Sequence, residues 1–155
     1  MRLFLDSNVV VDYLARRQPF FEPARKLMTL ACLGEFEVCV STSQVADIVY
    51  VLTQGKDEVV SGEVRNSLRA LCSFVSFCPL EASGLDQALD SSWSNFEAAC
   101  VYQVARSAKA DVILTRNKKV FEQSKIKVFD CDEFFAWLEK KKGICYEELS
   151  LQPES

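Results

Sequence analysis

The sequence predicts an α/β fold of three layers, helices covering both faces of a mostly parallel sheet of four or five strands. Three observations predict it. Short runs rich in Val, Ile, Leu and Phe recur along the chain, as strands buried on both faces require. Longer amphipathic stretches separate them, which is the alternation that parallel strands need for their crossovers. The chain has 155 residues, 49% of them apolar and 26% charged, the size and balance of one domain around one core.

Arg2–Leu5 (RLFL) reads as a short buried strand. Asp6, Ser7 and Asn8 then offer capping chemistry, and Val9, Val10, Tyr13 and Leu14 mark one face of a helix. After a loop at Arg16–Pro19, Phe20 to Gly34 forms a second helix, with Pro23 in its first turn and Gly34 as its stop. Phe36–Val40 is the next strand. Ser41–Ser43 cap a helix to about Gln54, with Val45, Ile48, Val49 and Leu52 on one face, and Asp57 to Cys72 is another helix. Phe74–Phe77 is a strand closed by Pro79, followed by a short helix over Ser83–Asp90. Ser94 or Asn95 caps a longer helix through Ala108. Asp111–Leu114 (DVIL) is a strand ending at Thr115, Arg116 and Asn117, and Lys127–Phe129 is the last strand. Cys131–Lys142 closes the fold as a helix whose Lys140, Lys141 and Lys142 suit the negative end of its dipole. No linker or repeat divides the chain. Residues 1–145 are expected to form a single domain, with 146–155 as a loose tail.

Composition excludes several kinds of chemistry. There is no histidine, so neither a Ser-His-Asp triad nor the usual general base near neutral pH is available. The seven cysteines are odd in number, lack any C-x-x-C pair and sit mostly among apolar neighbours, as reduced thiols in a cytoplasmic protein do. The chain begins MRLFLDSNVV, with an Asp at the sixth residue, which does not resemble a secretion signal, and its apolar runs are too short to span a membrane. No G-x-G-x-x-G follows the first strand and no G-x-x-x-x-G-K-[ST] occurs. Net charge is −4, so any nucleic-acid contact must be local rather than general.

In open parallel sheets, ligands sit outside the carboxyl ends of the strands, where strand order reverses. The residues there are Asp6, Ser41 and Ser43 with Asp47 one turn into the next helix, and Asn117. Each has two readings. Asp6 is a helix cap or a ligand for metal or phosphate, Asp47 belongs to a solvated helix face or to a site, and Asn117 caps a turn or contacts a ligand.

Four segments in order, DSNVVVDYL at 6–14, STSQVADIVYVL at 41–52, WSNFEAACVYQVA at 93–105 and DVILTRN at 111–117, resemble the successive blocks of a PIN domain. They are most similar to toxin-type, VapC-like PIN ribonucleases of bacterial toxin–antitoxin pairs. The resemblance covers about residues 1–135. It implies hydrolysis of RNA phosphodiester bonds by carboxylates that hold Mg²⁺ or Mn²⁺, a homodimer, and silencing by a small antitoxin. Carried over residue by residue, Asp6 matches the first metal ligand and Asp47 stands where Glu is usual. Asn95 stands where the third block begins with Asp, Ala98 replaces its catalytic Asp, Asn117 matches the fourth block, and Val120 replaces the acid before Phe121.

The implied site is therefore Asp6 and Asp47 with Asn95 and Asn117 as neutral oxygen donors. Ser43 and Thr115 would orient them. Glu97 is a possible third metal ligand, although it lies about 100° from 98 around an ideal helix. The stretch 116–127 carries five basic residues against Glu122, and Arg116, Lys118 and Lys119 at its start are the candidates for RNA phosphates. The alternative is a PIN-fold protein impaired in catalysis that binds RNA or a protein partner.

Overall fold

The computed structural model describes residues 1–55 and 62–146. Five strands, β1 (Arg2–Leu5), β2 (Glu37–Ser41), β3 (Val75–Cys78), β4 (Val112–Leu114) and β5 (Lys127–Phe129), form one sheet in the order β3-β2-β1-β4-β5. Every neighbouring pair is parallel. The sheet is thus wholly parallel and five-stranded, as α/β crossovers dictate.

The period of two along a strand sorts its side chains between two cores. Leu3 and Leu5 of β1, Val38 and Val40 of β2, and Val112 and Leu114 of β4 face one core. There they meet α1 (Ser7–Leu14), α2 (Phe21–Cys32) and α7 (Cys131–Lys142), through Val9, Leu27, Met28, Phe134 and Leu138 among others. Phe4, Cys39 and Ile113 point to the other face, against Ala98, Val101, Tyr102 and Ala105 of α6 (Phe96–Ser107). A short helix, α5 (Ala82–Asp90), stacks on α6 through Ala88, Ala99 and Cys100. α3 (Val45–Thr53) follows a single 3₁₀ turn, Thr42–Gln44, and α4 (Gly62–Leu71) precedes β3.

The differences from the sequence reading are local. β2 and β3 each begin and end one residue later than the apolar runs indicate, because pairing continues through Ser41 and Cys78. Part of the helix predicted from Asp57, residues 57–61, lies outside the described residues. Val11 is buried along with Val9 and Val10, so the core side of α1 is wider than the face the sequence marks. The tail expected from 146 starts docked: the Tyr146 ring lies edge-on to Phe36 and Phe135, and its hydroxyl reaches Glu35. Residues 147–155 lie outside the described part. All seven cysteines are free thiols, and burial beside Cys78 pushes the Cys39 thiol up to about 11. No helix among the described residues is long and apolar enough to cross a membrane.

Candidate active site

Strand order decides where a site forms. From β1 the chain builds β2 and β3 on one side, then crosses to add β4 and β5 on the other. A crevice opens outside the carboxyl ends of β1 and β4, at this reversal. Asp6 follows β1, Thr115 follows β4, and the Asp6 amide N–H ties the two ends by donating to the Leu114 carbonyl at 2.9 Å.

Asp6 proves to be both cap and pocket residue. Only 8% exposed, it caps α1 by accepting from the Ser7 N–H at 2.9 Å through Oδ1. The same oxygen accepts from Gln44 Nε2 at 2.7 Å. Oδ2 accepts from the Thr115 hydroxyl at 2.7 Å and from Asn8 Nδ2 at 3.2 Å. Four neutral donors thus meet the carboxylate, two on each oxygen. They stabilise its charge without cancelling it, since none is a cation.

Thr115 is fully buried and its hydroxyl is fully used. It donates its one proton to Asp6 and accepts from Asn8 Nδ2 at 3.1 Å and from the Asn117 N–H at 3.0 Å. Gln44 is 1% exposed, and its Oε1 has no hydrogen-bond partner among the described residues. An unpaired buried acceptor costs about 1–3 kcal/mol.

A pocket of about 170 Å³ lies in front of Asp6, lined also by Asn95, Glu97, Ala98 and Asn117. None of its lining residues is a lysine or arginine. Asn95 caps α6, its Oδ1 accepting from the Ala98 N–H at 2.9 Å, as the sequence predicts. Glu97 lines the pocket together with Ala98 despite their angular separation. It lies in the first turn of α6, where the Cα–Cβ bond tilts toward the helix N-terminus and a long side chain can reach back to the strand ends. Burial, and then the charges of Asp47 and Asp6, raise the Glu97 carboxyl above its ordinary value.

Asp47 is exposed in the first turn of α3, and it is that electrostatic reach to Glu97, rather than a place in the pocket lining, that ties it to the site. Among the described residues, no three Asp, Glu, Cys or His side chains gather closely enough to enclose an ion.

Ser43 does not touch Asp6. Its hydroxyl pairs with that of Ser41 at 2.6 Å, and the adjacent Gln44 makes the contact expected of it. Of the basic residues, Arg116 turns inward. Its Nε and a terminal nitrogen hold the buried Asp12 at 2.6 and 3.0 Å, and its guanidinium lies 4.1 Å from the centre of the Phe20 ring. Lys118 pairs with Glu133 and, at 3.8 Å, with Asp130. Lys119 is exposed and makes no ion pair among the described residues.

Sequence reasoning missed Asn8 and Gln44. Asn8 stood two residues from a recognised carboxylate. Gln44 was a lone amide at the end of an apolar strand, within a segment already known to resemble a site block.

A family model for the PIN domain matches residues 2–119. The chain belongs to the PIN domain family. Within that family it is similar to ribonuclease VapC1 of Aquifex aeolicus (strain VF5), at 20% identity over 138 residues, 86% of this chain and 92% of that protein. Among solved structures, VapBC2 of Rickettsia felis bound to a promoter DNA fragment shares the fold with a TM-score of 0.60 and 15% identity, over 84% of this chain and 98% of the other. VapC20 of Mycobacterium tuberculosis, a toxin that cleaves the sarcin–ricin loop, gives a TM-score of 0.55 and 14% identity, over 72% and 86%. Both likenesses are of fold.

Proposed function

We propose that this PIN domain is a metal-dependent endoribonuclease of the toxin type, hydrolysing RNA phosphodiester bonds. The observation that carries the proposal is the pocket at the strand-order reversal, lined by Asp6 and Glu97 and by no lysine or arginine, with the charge of Asp47 reaching Glu97.

The donor set fits Mg²⁺ or Mn²⁺. Such ions prefer oxygen, and Mg²⁺ is commonly held by one or two carboxylates while keeping several waters, so an enclosing protein cage is not required. Asp6 and Glu97 would hold the ion, with Asp47 adding negative potential from α3. A divalent ion bound there supplies Lewis-acid stabilisation of phosphate charge and a more acidic water. Asn95 and Asn117, whose amides border the pocket, would orient the phosphate, and Thr115 holds Asp6 in place. Lys119, with the exposed Lys125 and Lys127 farther along the chain, supports contact with the RNA backbone. Arg116 and Lys118, engaged by the protein's own carboxylates, would contribute less.

A small antitoxin is the partner this reading implies, in keeping with the complexes formed by its structural relatives. A homodimer belongs to the same reading. α3 supports it, since Ile48 is that helix's one buried residue while Tyr50 and Val51 are exposed. The proposed location is the cytoplasm, which suits both an RNA substrate and seven free thiols.

The test is cleavage of RNA by the purified protein in Mn²⁺, in Mg²⁺ and in a chelator, beside an Asp6→Asn variant prepared identically. The expected result is cleavage that requires the ion and is lost in the variant. Equal, negligible cleavage by both proteins across structured and single-stranded RNAs would overturn the proposal.

A further inference from the structure

We propose that Gln44 is a positioning residue that sets the cation affinity of the Asp6 carboxylate from behind the pocket; the inference rests on the metal-dependent reading above. Two of the four donors to Asp6 are sequence neighbours, Ser7 and Asn8. The other two come from the strands that flank β1. Gln44, after β2, holds Oδ1 at 2.7 Å, and Thr115, after β4, holds Oδ2 at 2.7 Å. One long-range donor on each oxygen, from opposite sides of the sheet, fixes the plane of the carboxylate as neither could alone. Hydrogen bonds of this kind orient metal-binding carboxylates, and their removal commonly lowers metal affinity 10- to 100-fold.

The other end of the amide points to the same role. Gln44 Oε1 is buried without a partner among the described residues, so the one hydrogen bond this side chain makes there is to Asp6. A methionine of similar length would fill the space with no unpaired acceptor. The amide is therefore poorly explained by packing and well explained by what it does to Asp6. Gln44 does not line the pocket, so its action on a bound ion passes through Asp6.

The experiment measures Mn²⁺ binding to the full chain by the electron paramagnetic resonance signal of the free ion, for wild type, Gln44→Met and Gln44→Glu, with folding checked by circular dichroism. The expected result is a 10- to 100-fold weaker Kd for Gln44→Met, and a Kd within about threefold of wild type for Gln44→Glu, because two carboxylates this close share a proton and the neutral acid stands in as the donor to Oδ1. Loss in one variant and rescue in another of similar size cannot come from general loosening of the fold. A folded Gln44→Met protein with a Kd within twofold of wild type would overturn the inference while leaving the nuclease reading standing. If Gln44→Met does not fold, Gln44→Leu decides: weaker binding supports the inference, and binding within twofold of wild type overturns it. A wild-type protein that binds no Mn²⁺ would overturn the metal-dependent reading first, and this inference with it.

Discussion

Asp6 caps the first helix of this protein and Asp12 lies within it, six residues on; both are buried, yet their surroundings answer burial in opposite ways. Asp12, 2% exposed, is met by the Arg116 guanidinium through two bonds, so its charge is cancelled where it stands. Asp6 is met by one backbone amide, two side-chain amides and one hydroxyl, so its charge is solvated by dipoles and left in place. The lesson is that burial of a carboxylate does not by itself mark a site. What marks one is the choice of partners: a cation makes the acid a structural tie, whereas neutral donors keep it negative for something that arrives from outside.

The comparison breaks most sharply at Arg116. Replacing it by Ala leaves Asp12 buried without its cation, and is expected to lower unfolding stability by about 3 kcal/mol, near the lower end for broken buried pairs because the arginine side is partly exposed. Urea unfolding measures this. Replacing both partners by apolar residues, Asp12→Leu with Arg116→Met, is expected to cost less than Arg116→Ala alone. Cys131 provides a local probe of the same region, since burial, with the charges of Asp130, Asp132 and Asp12, pushes its thiol up to about 12. Iodoacetamide should therefore modify Cys131 slowly in the native protein and faster in Arg116→Ala.

Thr115→Val tests the other half of the comparison. It removes a donor from Asp6 and the acceptor used by Asn8 and Asn117, with an expected stability loss of about 1–3 kcal/mol. Metal-dependent cleavage should fall 10- to 100-fold, because the carboxylate loses its anchor on Oδ2. A variant that lost stability but kept full cleavage would show that Asp6 needs no such orientation. Lys119→Ala should have the smallest effect. Stability should be unchanged, and the slope of log affinity against log salt for a single-stranded RNA should drop by about 0.7, the share of one phosphate contact. The same change at Arg116 should alter stability more than that slope.

Much of this architecture is legible in the sequence because local patterns dictate it. The RLFL and DVIL runs, the Asn95 cap and the Cys131–Lys142 helix each carry their signal within a few residues, and the structure has them where the patterns put them. Asp6 is legible too, as a carboxylate closing the first strand. The partners of these residues are not. That Asp6 takes its donors from Gln44 and Thr115 depends on which strands flank β1, and strand order leaves no local trace in the sequence. Arg116 shows the same limit. In the sequence it is one of five bases in a run of twelve residues. Only the packing of α1 against the end of β4 shows that Asp12 has claimed it. Glu97 is a candidate in the sequence, but its place in the pocket lining is not legible there, because an angular separation measured at Cα ignores how far a long side chain reaches at an open helix end.

The bond between the Thr115 hydroxyl and Asp6 spans 109 residues of chain. Counted in order of synthesis, the acid that would serve the reaction is made 109 residues before the hydroxyl that holds it. A nascent or truncated chain that stops short of β4 thus carries Asp6 without its anchor, its neighbouring strand or the crevice between them. Completion of the chain through β4 is what turns the aspartate after β1 into a site.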